Sequence, residues 1–325
     1  MNKKFYIIVL IIFVFSLIWP YLGPQYQVYL SLSYLSYSVA LLGFNLLFSY
    51  SGLLSMGHAM FIGFGGYSAA FLTSRFQVPY IEASIIAAIL ISAMIGYAVG
   101  LVCVRYTKIY FAMLTLAFGM LFYSFLLKSY KLTGGDEGMP ISQPYLLGMD
   151  FSSISRMEFL TGPFYYYCLG ILVLAAIVMW RIVRSPFGLC LRSVRDNPSK
   201  AEYLALGIKK YRLYAFIISG IFSGVGGVMM GATTGHMDIS MVFWPHSGDL
   251  VFMTLLGGFS NFFGPMLGSI IFVYLKDMIS SMTEYWRLIF GGLLAAIVIL
   301  APGGVMEVLS KIFMRRQLKG ERIDS

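Results

Sequence analysis

Charged side chains are scarce in this chain of 325 residues. Asp, Glu, Lys and Arg make up 11% of it, whereas soluble proteins contain about 25%. Hydrophobic residues make up 59%, and this imbalance excludes an ordinary water-soluble protein and indicates a polytopic membrane protein. The net charge is +9, but the basic residues lie in short segments beside apolar runs, which is a pattern that sets membrane orientation.

Motifs for catalysis and cofactor binding are also missing from the sequence. The chain contains no G-x-x-x-x-G-K-[ST] motif, so it does not bind ATP through a P-loop. Its three cysteines, Cys103, Cys168 and Cys190, lack metal-binding spacing and are interpreted as reduced residues. No set of metal ligands and no catalytic triad is recognisable. We therefore expect a protein that is not an enzyme and that holds no cofactor or metal.

Apolar runs of membrane-spanning length recur along the chain, since a helix needs about 20 apolar residues to cross a bilayer. They are 4–22, 28–50, 52–73, 80–102, 109–127, 163–181, 213–233 and 285–301. The first is interpreted as an uncleaved span because Trp19 and Pro20 replace the small residues of a cleavage site. GGFSNFFGP interrupts a further stretch, whose parts 248–259 and 264–276 are either full spans or a re-entrant pair. The predicted fold is an all-α polytopic membrane protein with about ten transmembrane or partly spanning helices in a single transmembrane domain, 1–325.

The distribution of Lys and Arg orients these spans. If the N-terminus is cytoplasmic and ten spans alternate, 17 of the 23 Lys and Arg residues fall on the cytoplasmic side. The positive-inside rule therefore predicts cytoplasmic N- and C-termini. It also predicts a cytoplasmic loop at 182–212, a cytoplasmic tail at 302–325 and an external loop at 128–162.

The basic segment from Arg181 to Arg212 carries eight of the 23 Lys and Arg residues. Asn197 or Asp196 is predicted to cap a short helix there, Pro198 suits its first turn, and Gly207 suits its C-terminal end. Its apolar surface is predicted to consist of Ala201, Tyr203, Leu204 and Ile208. Such a helix can lie in the groove of a partner protein, or it can lie on lipid head groups.

Small residues recur at helical spacing along the run at 52–73. The predicted stripe comprises Gly52, Ser55, Ala59, Gly63, Gly66 and Ala70. Small residues let membrane helices pack closely, and the same stripe could alternatively border a substrate path. Candidate residues for this path or for helix packing are Gly57, His58, Gly63, Gly65, Gly66, Thr115 and Gly119.

Ionisable residues are nearly absent from the predicted spans. His58 is the one well inside a long span, and packing or hydrogen bonding is favoured for it over a proton relay. Glu82, Asp249, Lys276 and Arg287 are placed near span ends, and His236 and His246 in an external, solvent-facing loop.

Six segments in order resemble the LivM-type permeases of the branched-chain amino acid ABC importers, within the LivH/LivM permease family. They are SGLLSMGHAMFIGFGGYSAA (51–70), IYFAMLTLAFGMLFYS (109–124), LTGGDEGM (132–139), RSPFGLCLRSVRDNPSKAEYLALGI (184–208), AFIISGIFSGVGGVMMG (215–231) and LLGGFSNFFGPMLGS (255–269). The chain departs from the family at Pro198, because the family often has glutamate after the Arg-Asp-Asn triplet.

The resemblance implies an ABC-importer permease fold and a set of partners. These are a second LivH-like permease subunit, two cytoplasmic ABC ATPases that bind ATP and Mg²⁺, an extracytoplasmic solute-binding protein and membrane lipid, with no nucleic acid. It also implies that 195–208 is the helix that couples to the ATPases. The residues at this coupling site would be Arg195, Asp196, Asn197, Pro198, Ala201, Tyr203, Leu204 and Gly207.

The resemblance further implies import of branched-chain or related amino acids across the bacterial or archaeal cytoplasmic (inner) membrane. A permease for urea or short amides is one alternative within the same class. An ion-coupled secondary transporter or channel is the alternative from another class, which the lack of intramembrane carboxylates disfavours.

Overall fold

The computed structural model describes residues 14–300 and 303–306. The part of the predicted span 4–22 that precedes residue 14 lies outside the described residues, and residues 14–22 are helical and are called α1. The cytoplasmic tail predicted at 302–325 lies outside the described residues except for 303–306.

The described part of the chain is almost entirely helical, as the composition predicts. The helices after α1 are α2 (Gln25–Asn45), α3 (Ala59–Ala70), α4 (Ile81–Cys103), α5 (Lys108–Lys128), α6 (Tyr130–Thr133), α7 (Arg156–Phe159), α8 (Tyr165–Arg184), α9 (Pro186–Asp196), α10 (Pro198–Tyr203), α11 (Ile208–Thr234), α12 (Trp244–Gly257), α13 (Gly264–Met282) and α14 (Trp286–Leu300). Single π-helical turns extend α2 over Leu46–Tyr50 and α3 over Phe71–Arg75, and a third, Leu160–Phe164, joins α7 to α8.

Two short strands and two 3₁₀ turns complete the description. Strand β1 (Met139–Pro140) pairs antiparallel with β2 (His236–Met237). The 3₁₀ turns are Gly135–Glu137 and Ile239–Val242. β1 lies in the loop between α5 and α7, so the strand pair ties this loop to the C-terminal end of α11.

Five segments of the described chain are long and apolar enough to cross a membrane. They are Gln25–Tyr50, Ile81–Cys103, Lys108–Lys128, Arg156–Arg184 and Ile208–Thr234. They coincide, to within a few residues at most ends, with the runs predicted at 28–50, 80–102, 109–127, 163–181 and 213–233, which are therefore confirmed as long apolar helices. A helix satisfies every backbone polar group within itself, which is why these runs are stable in lipid. The fourth begins at Arg156 and therefore extends into the loop predicted at 128–162.

Helix α11 lies at the centre of the bundle and packs against α2, α3 and α4. Its glycines permit this close approach. A Cβ added at Gly226 would lie 2.7 Å from Ser36 O on α2, and one at Gly227 would lie 2.1 Å from Ile62 O on α3. Where lipid replaces water, backbone contact of this kind is the main source of helix association.

The helix predicted over 52–73 is interrupted. Residues 51–58 are not helical, and α3 begins at Ala59. Gly52 has φ +71°, a left-handed conformation that glycine adopts without steric cost, and it stops the continuation of α2. Gly52 and Ser55 therefore do not share a helix face with Ala59 and its successors, and the predicted continuous stripe is wrong over its first part.

A second break precedes α12. After Gly235, which has φ +72°, the chain runs back along α3 in the opposite direction. Met237 lies against Gly66 and Val242 lies against Gly63. The amide N–H of Ala59 then donates a 2.9 Å hydrogen bond to Ser247 Oγ, so the N-terminal turns of α3 and α12 meet.

Helices α12 and α13 confirm that 248–276 holds two segments. α12 has 14 residues and is about 21 Å long, too short to cross a bilayer of about 30 Å. α13 has 19 residues, so the short segment predicted at 264–276 is wrong in length. The two run antiparallel, because a Cβ added at Gly268 would lie 1.8 Å from Met253 O.

Candidate functional site

The basic segment forms two helices instead of the one predicted at 195–208. α9 begins at Pro186, where the missing N–H costs nothing, and ends at Asp196. The chain then turns at Asn197 and continues as α10. Arg195 and Asp196 consequently belong to the last turn of α9, and the predicted helix start at 195 is wrong.

The N-terminus of α10 follows the sequence prediction. Asn197 is its cap, and Asn197 Oδ1 accepts a 3.0 Å hydrogen bond from the Lys200 N–H. Pro198 occupies the first turn. The Asn197 hydrogen bond satisfies one of the free N–H groups that every helix start exposes, and it fixes the direction in which α10 leaves α9.

The C-terminus of α10 differs from the prediction at Gly207. The helix ends at Tyr203, and Ala205 adopts φ +57°. The Leu206 N–H donates to Ala201 O at 3.0 Å and closes the turn. Gly207 instead precedes α11 with φ −73°, so its assignment as the stop of the coupling helix is wrong.

One side of α10 is packed and the other is uncovered. Ala201 is 2% exposed, whereas Tyr203 is 91% exposed and Leu204 is 74% exposed. Neighbouring apolar side chains that stay exposed can mark a surface for a partner. Tyr203 and Leu204 therefore form an exposed apolar pair at the end of α10, and the buried Ala201 attaches α10 to its neighbours.

Arg195 connects α9 to the point where α2 ends. Its Nη1 donates to Ser49 O at 2.5 Å, and its Nε donates to Asp196 Oδ1 at 2.7 Å. A Cβ added at Gly52 would lie 2.8 Å from Arg195 Cγ. Residues Ser49–Gly52 are the junction between α2 and the non-helical segment 51–58, and Arg195 holds this junction.

A second arginine of α9 supports the same junction. The Arg192 guanidinium lies 5.5 Å from the centroid of the Tyr50 ring, a cation–π distance. Its Nη2 also donates to Val183 O at 3.1 Å. α9 is thereby attached both to α8 and to the end of α2.

The segment 51–58 leads from this junction to His58, which the structure buries completely. His58 Nε2 lies 2.6 Å from Ser219 Oγ on α11, within hydrogen-bonding distance. The rings of Phe44, Phe61 and Phe216 surround the imidazole at centroid distances of 5.0, 5.5 and 6.0 Å. No partner of His58 Nδ1 is found among the described residues.

Gly57, Thr115 and Gly119 meet at one backbone contact between the segment and α5. A Cβ added at Gly57 would lie 2.1 Å from Thr115 O, and one at Gly119 would lie 3.3 Å from Gly57 Cα. The Met56 N–H also donates to Thr115 Oγ1 at 3.2 Å. The structure thus brings these three predicted residues together.

The remaining candidates lie along α3 and contact other elements. Gly63 faces Val242, and Gly66 faces Met237. Gly65 faces α11, where an added Cβ would lie 1.9 Å from Gly224 O. Gly63 and Gly66 share the face of α3 that residues 237–242 cover, and Gly65 lies on the face that α11 covers. The structure therefore uses these glycines for close contacts and does not gather them around one cavity.

Sequence reasoning missed Ser49, Ser219 and Ser247, which are the hydrogen-bond partners of Arg195, His58 and Ala59. No local signal marks them, because each lies far along the chain from its partner. Within residues 14–300 and 303–306, no group of three His, Cys, Asp or Glu side chains could hold a metal ion. Cys103 and Cys168 are buried and free.

The family model described as "Branched-chain amino acid transport system / permease component" matches residues 27–298. The high-affinity branched-chain amino acid transport system permease protein LivM of Escherichia coli K12 is 27% identical, over 94% of this chain and 76% of its own length. The LivM protein of Salmonella typhimurium is 26% identical, over 99% and 79%.

A nucleoside ABC transporter permease protein, NupC of Lactococcus lactis, is 32% identical over a shorter stretch that covers 31% of this chain and 32% of its own. No solved structure matches the chain. These relatives are transport permeases, which agrees with the expectation that the chain is not an enzyme. Because the family model covers most of the chain, the protein belongs to the family of branched-chain amino acid transport system permease components.

Proposed function

We propose that this permease imports branched-chain or related amino acids as one subunit of an ATP-driven importer. The observation that carries the proposal is the extent of the similarity to the two LivM proteins, which covers 94% and 99% of this chain. The similarity to the nucleoside permease covers 31%. A relationship that extends over the whole chain includes the path for the solute, whereas a short one can reflect shared helix packing.

The proposed assembly contains a second LivH-like permease subunit, two cytoplasmic ATPases and an extracytoplasmic solute-binding protein in the bacterial or archaeal cytoplasmic membrane. ATP and Mg²⁺ would bind to the ATPases. The chain would have cytoplasmic termini and about ten transmembrane or partly spanning helices. The charge distribution supports this orientation, because the basic segment containing α9 and α10 is then cytoplasmic.

The exposed surface of α10 is the proposed contact with an ATPase. Tyr203 and Leu204 form an apolar ridge outside the long spans, which suits a groove on a partner. Asn197 and Pro198 set the direction of that ridge, and Ala201 anchors it. Movement of α10 would reach the membrane interior through Arg195, which contacts Ser49 and Gly52.

Transport by purified components in proteoliposomes tests the function. The chain, its second permease and its ATPases are reconstituted with ATP inside or outside the vesicles, and uptake of radiolabelled leucine is measured with the binding protein present. We expect uptake that requires ATP on the ATPase side. Guanosine and urea serve as competing solutes, and displacement of leucine by guanosine alone would favour a nucleoside permease.

Uptake in energised vesicles that lack ATP separates the proposal from an ion-coupled transporter. Leucine accumulation driven by an imposed sodium or proton gradient would contradict ATP coupling. The absence of accumulation under the same gradients, together with ATP-dependent uptake, would support it.

A further inference from the structure

Ionisable side chains meet halfway along the long helices, where the sequence predicted none. His246 and Asp249 lie on α12, and Lys276 of α13 is close enough to interact electrostatically with both. The ring of Tyr37, near the middle of the helical segment Gln25–Tyr50, lies 5.6 Å from the His246 ring. The interpretation of His246 as a solvent-facing loop residue is therefore wrong, since its side chain is 10% exposed.

The charges of this cluster are incompletely compensated by the protein. The closest approach of His246 Nδ1 to Asp249 Oδ2 is 3.9 Å, which is longer than a hydrogen bond. No partner of the buried His246 Nε2 is found among the described residues. Lys276 Nζ lies 5.5 Å from the centre of the Trp286 ring. The imidazole and the carboxylate are thus neighbours without a hydrogen bond between them, and the Lys276 ammonium lies over the Trp286 ring.

The carboxylate is also accessible from outside the chain. The Asp249 side chain is 29% exposed. It lies beside an uncovered strip of α12 that contains Trp244 and Phe252, which are 45% and 41% exposed. Between them, a Cβ added at Gly248 would have nothing within 4 Å. A carboxylate at this depth is costly against lipid, and such groups face protein or a water-filled cavity that carries solute.

We propose that this face of α12 lines the solute path between the two permease subunits, and that Asp249 receives the cationic amino group of a zwitterionic solute there. Lys276, whose charge acts on Asp249, supplies a positive charge for the solute carboxylate. A neutral solute, such as a nucleoside, would leave the Asp249 carboxylate uncompensated. This inference names the binding residues of the proposed amino acid importer and therefore rests on the proposed function.

Thiol labelling tests the path independently of the solute. In a Cys190→Ser background, in which the two remaining described cysteines are buried, Gly248→Cys is introduced because its Cβ has open space. Leu90→Cys is the matched control, since Leu90 is 65% exposed on α4 but lies away from the cluster. In the assembled complex, a charged thiosulfonate should modify the Gly248→Cys thiol at least tenfold faster than the Leu90→Cys thiol. Equal rates would overturn the assignment of the path.

Uptake by charge variants tests the role of Asp249. We expect Asp249→Asn to lower leucine uptake at least tenfold while Asp249→Glu retains part of it. Asp277→Asn is the control, because Asp277 accepts a hydrogen bond from the hydroxyl of Tyr26, in the first turn of α2. Leucine uptake by this variant should stay within twofold of the wild type. Co-purification of the ATPases identifies any variant that does not assemble.

The outcomes distinguish the inference from the function on which it rests. Wild-type leucine uptake by the Asp249→Asn complex would refute the binding role while leaving the importer intact. A wild-type complex that imports guanosine but no amino acid would refute the proposed function, and fast labelling at Gly248→Cys would then still assign the path. If the Asp249→Asn complex does not assemble, labelling of the Gly248→Cys thiol with and without leucine tests the binding site instead. Slower labelling in the presence of leucine supports the site, and an unchanged labelling rate overturns it.

Discussion

Replacement of Arg195 by alanine tests whether α9 transmits movement to the membrane interior. The Arg195 guanidinium donates a charge-assisted hydrogen bond to Ser49 O, and such a bond contributes about 1.5–3 kcal/mol. The pair with Asp196 has side chains that are 37% and 63% exposed, so solvent screening reduces it to about 0–1 kcal/mol. Most of the free energy lost in Arg195→Ala therefore comes from the hydrogen bond to Ser49 O.

If this link carries the coupling between ATP hydrolysis and transport, its loss lowers coupled uptake by about 10- to 150-fold. The assay is leucine uptake per ATP hydrolysed in proteoliposomes, with co-purification of the ATPases measured alongside. Because Tyr203 and Leu204 are unchanged, Arg195→Ala should still bind the ATPases. Arg195→Lys keeps the positive charge but loses the planar guanidinium with its several donors. We therefore expect a ratio of uptake to ATP hydrolysis between those of the wild type and Arg195→Ala.

Arg105→Ala is the matched control for the loss of a basic residue. Arg105 is exposed in the turn between α4 and α5, and the orientation proposed above places it on the same side of the membrane as α9. It should change coupled uptake by less than twofold. If Arg195→Ala lowers the ratio of uptake to hydrolysis no more than Arg105→Ala does, the proposed transmission through Ser49 is wrong.

Three further outcomes follow from the packing and the loops. Gly57→Ala places a Cβ 2.1 Å from a backbone oxygen and should destabilise the protein by about 1–3 kcal/mol, which is measured as a lower Tm in detergent. Gly170→Ala is the control, because a Cβ added at Gly170 has nothing within 4 Å, and it should not lower the Tm. Tyr203→Ala should release the ATPases during purification without a change in Tm, and unchanged binding would leave α10 as a lipid-facing helix. The Ser152 backbone N–H, and then the Tyr145 hydroxyl, lower the pKa of Asp150. The ionised Asp150 therefore helps to order the loop at neutral pH, and this contribution is lost as the pH falls below about 4. Hydrogen exchange of residues 129–155 should become faster below that pH in the native chain and should not change with pH in Asp150→Asn.

The sequence predicts features that depend on composition or on local chemistry. Long apolar runs form helices because lipid offers no other partner for backbone polar groups, and the bounds of α4 and α5 follow from composition alone. The start of α10 depends on Asn197 and Pro198, which act on their own neighbours. The close contact at Gly65, which lies within α3, is likewise expected wherever small residues recur in a membrane helix.

Features that depend on distant partners could not be predicted in this way. Hydropathy continues through SGLLSMG, so it does not reveal that Gly52 takes a left-handed conformation and that α3 starts at Ala59. Gly207 has the right type and spacing for a helix end, but the chain closes the turn earlier, at Ala205. The sequence analysis places His246 in an external loop, although α12 begins at Trp244 with Pro245 in its first turn.

The two breaks in helical structure explain why the ionisable cluster escaped prediction. In the first half of the chain, a non-helical break separates α2 from α3, and α4 follows. In the second half, a break separates α11 from α12, and α13 follows. α2 and α11 run antiparallel, since Gly43 lies against Ser219 whereas Gly226 lies against Ser36. α4 packs on α11 and α13 packs on α2.

The two halves therefore repeat the same order of elements in opposite directions, as in the inverted repeats of transporters. The meeting point is the hydrogen bond between the Ala59 N–H and Ser247 Oγ. His58 directly precedes α3 and His246 lies in the first turn of α12, so the two histidines flank this bond from opposite directions. Hydropathy places residues near a break at the end of a span, but the break before α12 brings His246 beside Tyr37, near the middle of the helical segment Gln25–Tyr50. For that reason Asp249, one helical turn beyond His246 and 3.9 Å from it, also lies beside the middle of a long helix and not at the end of a span.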